Sequence, residues 1–327
     1  MAYDYTAGKL DVVYDTKYAG TSFDGSEAPM VSSAGTVGLT NVSGSYSDTT
    51  GSNRVFGLDI KADKMSYSTS SDDPSMEMKQ TGTSETNGVD MSFDFTLPST
   101  MSLFAIMTPA DFATALNEGL GVSLTAKQGE STGTMTQENP YMPMSLTMKS
   151  GGGEGSVVFN KDKFEVKSTV ASFEIESAPG MMPMPVKITS GPMEFAMLSP
   201  VMAAAAAADY AFLLKMNQFS INEEAWAMVD PTGALKHDAA DVAIDLSGKT
   251  TMDLIGMIEA DETGAPPPIP AVESLNITEL SAKVLGAALT STGAFTFDNS
   301  MGFPMPLGEA TVDVTGANQL IQGLIAT

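Results

Sequence analysis

Hydrophobic and polar positions alternate with a period of two along most of this chain, the pattern of strands that bury one face and wet the other. Over 91–97, Met91, Phe93, Phe95 and Leu97 take one parity, and Ser92, Asp94 and Thr96 take the other. Comparable runs predict strands over 9–18, 36–46, 54–68, 122–127, 144–148, 186–189, 193–197, 210–221 and 242–246. The run 163–177 also alternates, but its parity changes part-way. Phe164, Val166 and Val170 give way to Phe173 and Ile175. Such a change predicts a bulge or bend, because one extra residue turns every later side chain to the opposite face.

The closing stretch, 273–327, is the most legible. Leu280, Ala282 and Val284 mark one strand, Phe295 and Phe297 a second, and Ala310, Val312 and Val314 a third. Leu320, Ile321, Leu324 and Ile325 then share one stripe of a terminal helix, suited to covering a sheet face or closing its end. Helical signals elsewhere are few. Thr108 as N-cap, Pro109 at the first helical position and Asp111 in the first turn predict a helix from 109 to about 120. Asn222 is placed to cap a turn holding Glu223, Glu224 and Trp226, and the alanine run 203–208 reads as a short helix or a linker. Segments rich in Gly, Pro or small polar residues at 20–29, 47–53, 150–155 and 264–270 read as turns and connections.

These elements predict a mainly β fold: a long curved antiparallel β-sheet, meander or groove-like, with a few short helices including one at the C-terminus. Two portions are expected, an N-terminal β-rich portion over 1–198 and a C-terminal β-rich portion with its capping helix over 199–327, compatible with one continuous sheet. No fixed repeat of 20–50 residues points to a solenoid.

Composition narrows the function classes. The 327 residues are 43% hydrophobic, which is enough for a core. Lys and Arg total 16 against 40 acids, a formal charge of −24 that repels nucleic acids and anionic headgroups, so no nucleic-acid partner is expected. With no cysteine there can be no thiol catalysis, disulfide or cysteine-based zinc site. The stretch 197–216 is interrupted by Pro200, Asp209 and Lys215, so no transmembrane segment is expected. Met1–Tyr5 has neither the basic nor the apolar region of a signal peptide.

Candidate chemistry is sparse. The single histidine, His237, could serve a serine nucleophile, but no Gly-x-Ser-x-Gly elbow exists, and it reads as an exposed loop residue. Ala243 to Thr250, ending Gly-Lys-Thr, loosely matches a phosphate loop. However, Val242, Ile244 and Leu246 alternate through it, so it reads as a strand and a chance match. The 24 methionines include the clusters Met142/Met144, Met181/Met182/Met184 and Met301/Met305, and thioethers suit Cu(I). Met144 with Met148, and Met193 with Met197, nevertheless have strand spacing, which favours packing. The acidic pairs Asp72-Asp73, Glu223-Glu224 and Asp261-Glu262 fit no calcium loop, and Gly152 to Gly155 lacks the aspartate of a calcium β-roll repeat. No catalytic, cofactor-binding or metal residue is nominated, no cofactor is expected, and an enzyme is the least expected class.

Two stretches carry a resemblance: YAFLLKMNQFSINEEAWAMVDPTGAL with DVAIDLSGKTTMDL, and LNITELSAKVLGAALTSTGAFTFDN with TVDVTGANQLIQGLIA. They resemble the domain-of-unknown-function 2125 family of uncharacterised alphaproteobacterial proteins, most strongly over 209–327. Those relatives look similar to AsmA-like envelope proteins, whose long sheets expose an apolar groove to lipid. The resemblance implies a periplasmic protein whose relatives carry a cleaved signal peptide before the region matching Met1 and continue past the terminal helix. The chain is therefore expected to be a fragment. Three functions are expected in turn: binding or shielding lipid or other hydrophobic material at the envelope, a structural module that docks another envelope protein, and a methionine-based Cu(I) binder.

Overall fold

The computed structural model describes residues 1–19, 30–102, 104, 106–141, 143–178, 180, 184–202, 206–300 and 303–326. The methionines at 142, 181, 182 and 301, and the turn zone 20–29, lie outside the described residues, as does 203–205 of the alanine run.

The architecture is mainly β, one antiparallel sheet of seventeen strands with four short helices. Four long strands open it: β1 (Ala2–Ala19), β2 (Met30–Thr50), β3 (Asn53–Asp73) and β4 (Met78–Pro98). Helix α1 (Pro109–Asn117) follows. Next come four strand pairs laid end to end: β5 (Gly121–Gln128) with β6 (Ser131–Glu138), β8 (Gly153–Phe159) with β7 (Met144–Ser150), β9 (Phe164–Val170) with β10 (Phe173–Ser177), and β12 (Met193–Ser199) with β11 (Val186–Ser190). The remaining strands are β13 (Ala208–Ile221), β14 (Ala240–Thr250), β15 (Val272–Val284), β16 (Ala287–Asp298) and β17 (Met305–Thr315). Helices α2 (Glu223–Val229) and α3 (Leu254–Thr263) interrupt this last series, and α4 (Ala317–Ala326) ends it.

Each end-to-end pair occupies one rung, so the seventeen strands make thirteen rungs. β4 pairs with both β5 and β6, and β13 pairs with both β12 and β11. Every rung is followed in sequence by its spatial neighbour, a plain up-and-down meander, and the β12–β13 pairing carries the sheet across residue 199 without interruption. At about 4.8 Å between neighbours the sheet is about 58 Å wide. Among the described residues β1 pairs only with β2, and β17 only with β16, so both flanks are open edges.

A seam crosses the first nine rungs at mid-height. On each rung the residues of one face stand three apart there instead of two: Leu39 and Val42, Ala62 and Met65, Thr86 and Val89, then Gln128 and Ser131 on the first broken rung. The parity change read at 163–177 is one instance, between Val170 and Phe173. All nine rungs carry the extra residue, so neighbours stay in register on both sides of it. The first shift comes where β13 meets β14, between Met216 and Phe219. Asn41, Gly88, Gly152 and Gln218 supply positive φ along the seam, at 51°, 57°, 89° and 55°. The seam is hydrogen-bonded throughout. Asn41 Nδ2 donates to Asp63 Oδ2 (2.7 Å), Gly129 N to Asn87 O (2.7 Å), Ala171 N to Gly152 O (2.9 Å) and Gln218 N to Asp241 Oδ1 (2.8 Å). The inserted residue re-aims all that follow, so each rung keeps its hydrophobic series on one side.

Some local expectations change. The glycine stretch 150–155 is not one turn, because Gly151 and Gly152 are the seam and β8 already begins at Gly153. Asn222 stands at the N-cap of α2 but makes no capping bond. Its Oδ1 accepts from Lys187 N (2.9 Å) and its Nδ2 donates to Pro185 O (3.0 Å), so it ties the helix to the sheet. Helix α1 does begin with the expected cap. Asp111 N donates to Thr108 Oγ1 (3.2 Å) while Asp111 Oδ2 accepts from Thr108 N (3.1 Å).

Candidate hydrophobic face

The face marked by the alternation can be traced across the register, because residues directly opposite in an antiparallel pair share a side. One row begins Tyr3, Tyr46, Leu58, Phe93, Leu124 and Val157. It continues through Val166, Met197, Phe212, Leu246 and Ile277 to Gly293 and Ala310 on β17. Thirteen rungs thus present thirteen uncharged residues in line. Among the described residues, the charged side chains at positions of this face stand at strand ends. Asp48 and Arg54 pair with each other in two-pronged fashion (2.9 and 2.6 Å), with the guanidinium 4.5 Å from the Phe56 ring, and Asp73 closes β3.

Tyrosines laid over glycines are a recurring device of this face. Tyr14 crosses Gly35, and its hydroxyl lies 2.9 Å from Thr69 Oγ1 on the third strand. Tyr5 crosses Gly44 and donates to Asp59 O (3.2 Å), and Tyr210 crosses Gly248 and donates to Ser274 O (3.1 Å). Each ring fills the space that a missing side chain leaves and satisfies its own hydroxyl.

The opposite face is wet. Glu174 receives Lys149 (2.7 Å) and Lys187 (2.8 Å) from its two neighbouring rungs, and these hydrogen bonds hold its carboxyl at about 2. Lys61 pairs with Asp90 and Lys215 with Glu279, each at 2.9 Å. Exposed pairs of this kind add little stability; they keep this face in water and so decide which side must be apolar.

Among the described residues, the buried hydrophobic cluster lies at one end of the apolar face. Helices α1 and α3 pack there around Leu97, Ala115, Leu116, Leu120, Val201 and Ile255, with Phe95, Phe112, Phe159 and Phe164 around them. Leu116 and Val201 are fully buried, each contributing about 1.5–3 kcal/mol. Phe112 stacks on Phe159 (5.8 Å), which meets Phe164 edge-on (6.1 Å). Helix α3 went unread in the sequence, although Asp253 caps it (Gly256 N to Oδ1, 2.9 Å) and Gly264 ends it at φ 68°. Elsewhere on this face Val42 (2% exposed) and Ala62 (6%) are enclosed beside the seam and Val31 (4%) near the start of β2, while Leu10, Val12, Tyr67 and Met148 are open to solvent. The total accessible surface is 19200 Å², well above the about 13,000 Å² of a compact monomer of this mass.

The residues singled out in the sequence fall as follows. The Ala243–Thr250 match is strand β14 throughout. Met91, Met148, Met193, Met197 and Met216 all occupy positions of the apolar face. Asp72 faces Lys79 (3.6 Å).

His237 does lie in a loop, but its side chain is largely enclosed rather than exposed. Its ring stacks flat on Trp226 (4.4 Å, 4°), with Nδ1 2.8 Å from Glu223 Oε2 and Nε2 3.3 Å from Asp230 Oδ2. Glu223 and Asp230 hold its pKa above the ordinary 6.5 against the opposing effect of desolvation. The Asp230 side chain is fully enclosed. Burial alone would raise its pKa, but the N–H groups of Leu235 and Ala234, His237 and the Thr232 hydroxyl outweigh that and bring it to about 2. This cluster shapes the loop after α2, against which Gly323 of α4 rests. Nothing in the sequence links Trp226 to His237 except their placement on either side of Asp230.

No family model, no curated protein and no solved structure matches this chain. Among the described residues, no helix is long and apolar enough to cross a membrane, and no group of three or more acidic or histidine side chains is placed to hold a metal ion.

Proposed function

We propose that this is a non-enzymatic periplasmic protein, of the kind implied by its resemblance to the 2125 family, that binds or shields lipid or other hydrophobic material at the cell envelope. One observation carries the reading: a largely apolar face, charged only at strand ends, runs across all thirteen rungs, and among the described residues its buried core cluster lies at one end. Monomeric proteins rarely leave so large an apolar surface without a ligand or partner for it. Protein purified from its native host and extracted with organic solvent is expected to release lipid detectable by mass spectrometry. Repeatedly empty extracts would sink the reading.

A second reading rests on the edge strand β17, all eleven of whose residues are exposed. Such an edge is a template for strand addition by another envelope protein. Capture of one reproducible partner that is lost on Val312→Pro would favour it, since proline removes a ladder donor.

A further inference from the structure

The seam divides the apolar face into two chemically different fields. Between the seam and the α1–α3 plug, the face carries phenylalanines on rung after rung: Phe56, Phe93, Phe159, Phe164, Phe195 and Phe212. Beyond the seam, among the described residues, the strand phenylalanines are Phe173 and Phe219. Hydroxyls are frequent there among aliphatic side chains and methionines such as Leu39, Met135 and Met148: Ser33, Thr69, Ser84, Thr86 and Ser131 stand at positions of the same face, beside the Tyr14 hydroxyl. Among the described residues, neither field offers an unpaired cation. Arg54 is engaged by Asp48, and the lysines that pair across rungs, such as Lys149, Lys187 and Lys215, belong to the other face.

We infer that the face takes a long-chain lipid with a net-neutral head group, its acyl chains on the phenylalanine field toward the plug and its head on the hydroxyl field beyond the seam. This rests on the lipid-binding reading above and adds the orientation and the charge of the ligand. The phenylalanine field is seven to nine residues deep on these rungs, about 25 Å along the strands. A chain that spans one leaflet, about half of the ~30 Å hydrocarbon thickness, lies within that depth without crossing the seam. The plug closes the far end with apolar side chains, as a chain terminus requires. A head group on the hydroxyl field finds donors and acceptors but, among the described residues, no counter-ion, so an anionic head would be desolvated without compensation.

Two photoreactive phosphatidylcholines test this, one with its diazirine at the acyl terminus and one with it on the choline end, each mixed as vesicles with the purified protein. The tail probe should label 89–97, 157–166 and 210–216 at least five-fold more than 65–71, 78–86 and 131–137, and the head probe should show the reverse. Phosphatidylglycerol of the same chains should compete at least ten-fold less well than phosphatidylcholine. Equal labelling of both fields, reversed labelling, or better competition by phosphatidylglycerol would overturn the inference while leaving lipid binding intact. No specific labelling by either probe, or a stable dimer in sedimentation whose apolar faces exclude both, would overturn the lipid reading itself. Phe93→Ser should lower tail labelling several-fold with circular dichroism unchanged; Ser84→Phe should leave it within two-fold.

Discussion

The two halves of the sheet on either side of the seam share one topology and one register but differ in how they are held. Toward α1 and α3, the strands end in a three-dimensional core in which Leu116, Val201 and Ile255 are enclosed from all sides. Beyond the seam there is no comparable cluster among the described residues, and side chains such as Val12 and Met148 remain open to solvent. There the sheet is held by its ladders, by tyrosines bridging glycines and by the hydrogen-bonded seam. Alternation alone makes a strand two-faced; a strand becomes deeply buried only where something else covers it.

The largest contrast should come from large-to-small substitutions. Leu116→Ala, in the plug, is expected to cost about 2–5 kcal/mol, whereas Met148→Ala, on the open half, should cost less than about 1 kcal/mol. Urea unfolding of both variants measures the difference, and equal costs would mean that the open half is covered in solution. Next come the glycines beneath tyrosines. Any Cβ on Gly248 collides with Ser274 O and the Tyr210 ring, so Gly248→Val should destabilise by about 1–3 kcal/mol. Gly8, with open space around its Cβ direction, should tolerate alanine within about 0.5 kcal/mol. Melting temperatures of the two variants separate these cases.

The seam itself should be less sensitive. Gly88 holds φ at 57°, so Gly88→Ala is expected to cost about 1 kcal/mol, through strain that an asparagine would partly relieve. Hydrogen exchange at 86–89 and 128–131 should quicken in the variant; unchanged rates would deny the seam its structural role.

The smallest effect belongs to the α2 loop. The pKa of His237 is raised in the folded protein, so its contribution is complete below about 6.5 and is lost as the pH rises through the folded value. That of Asp230 is depressed to about 2, so its contribution is present above the ordinary 3.8 and is lost as the pH falls through about 2. Melting temperature should therefore decline modestly as the pH rises past neutrality, and His237→Gln should remove that slope. A slope unchanged in the variant would assign it to other groups.

Much of this arrangement was legible along the chain. The strand runs, the capped helix at 109, the three closing strands with their helix and the parity change at 163–177 all appear in the fold. The same three-residue step recurs at eight other rungs without standing out along the chain. In several it separates residues as mild as Ala62 and Met65 or Ser150 and Gly153, and elsewhere, as at Leu39 and Val42, a lone step has no neighbour in sequence to repeat it. One step looks like noise; nine in register make a seam. The expected role for the terminal helix is met only in part. Gly323 rests on the loop at Ala234, while Ile321 and Ile325 of its apolar stripe stay exposed. The enclosure of His237 is not legible along the chain, because its two carboxylates and its stacking ring come together only when the chain turns back after α2.

The sequence by itself determined which residues alternate, where the extra residue falls on each rung, and that one face of the sheet would carry almost no charge. Those properties reside in period and composition, which need no neighbours to be expressed. The tertiary structure alone decided that nine insertions align into one hydrogen-bonded seam, that α1 and α3 close one end of the face, and that side chains such as Val12 and Met148 are left open. A meander brings its rungs into register only by pairing each with the next, and coverage depends on where a helix between rungs can reach. Neither is written in the pattern of any single strand.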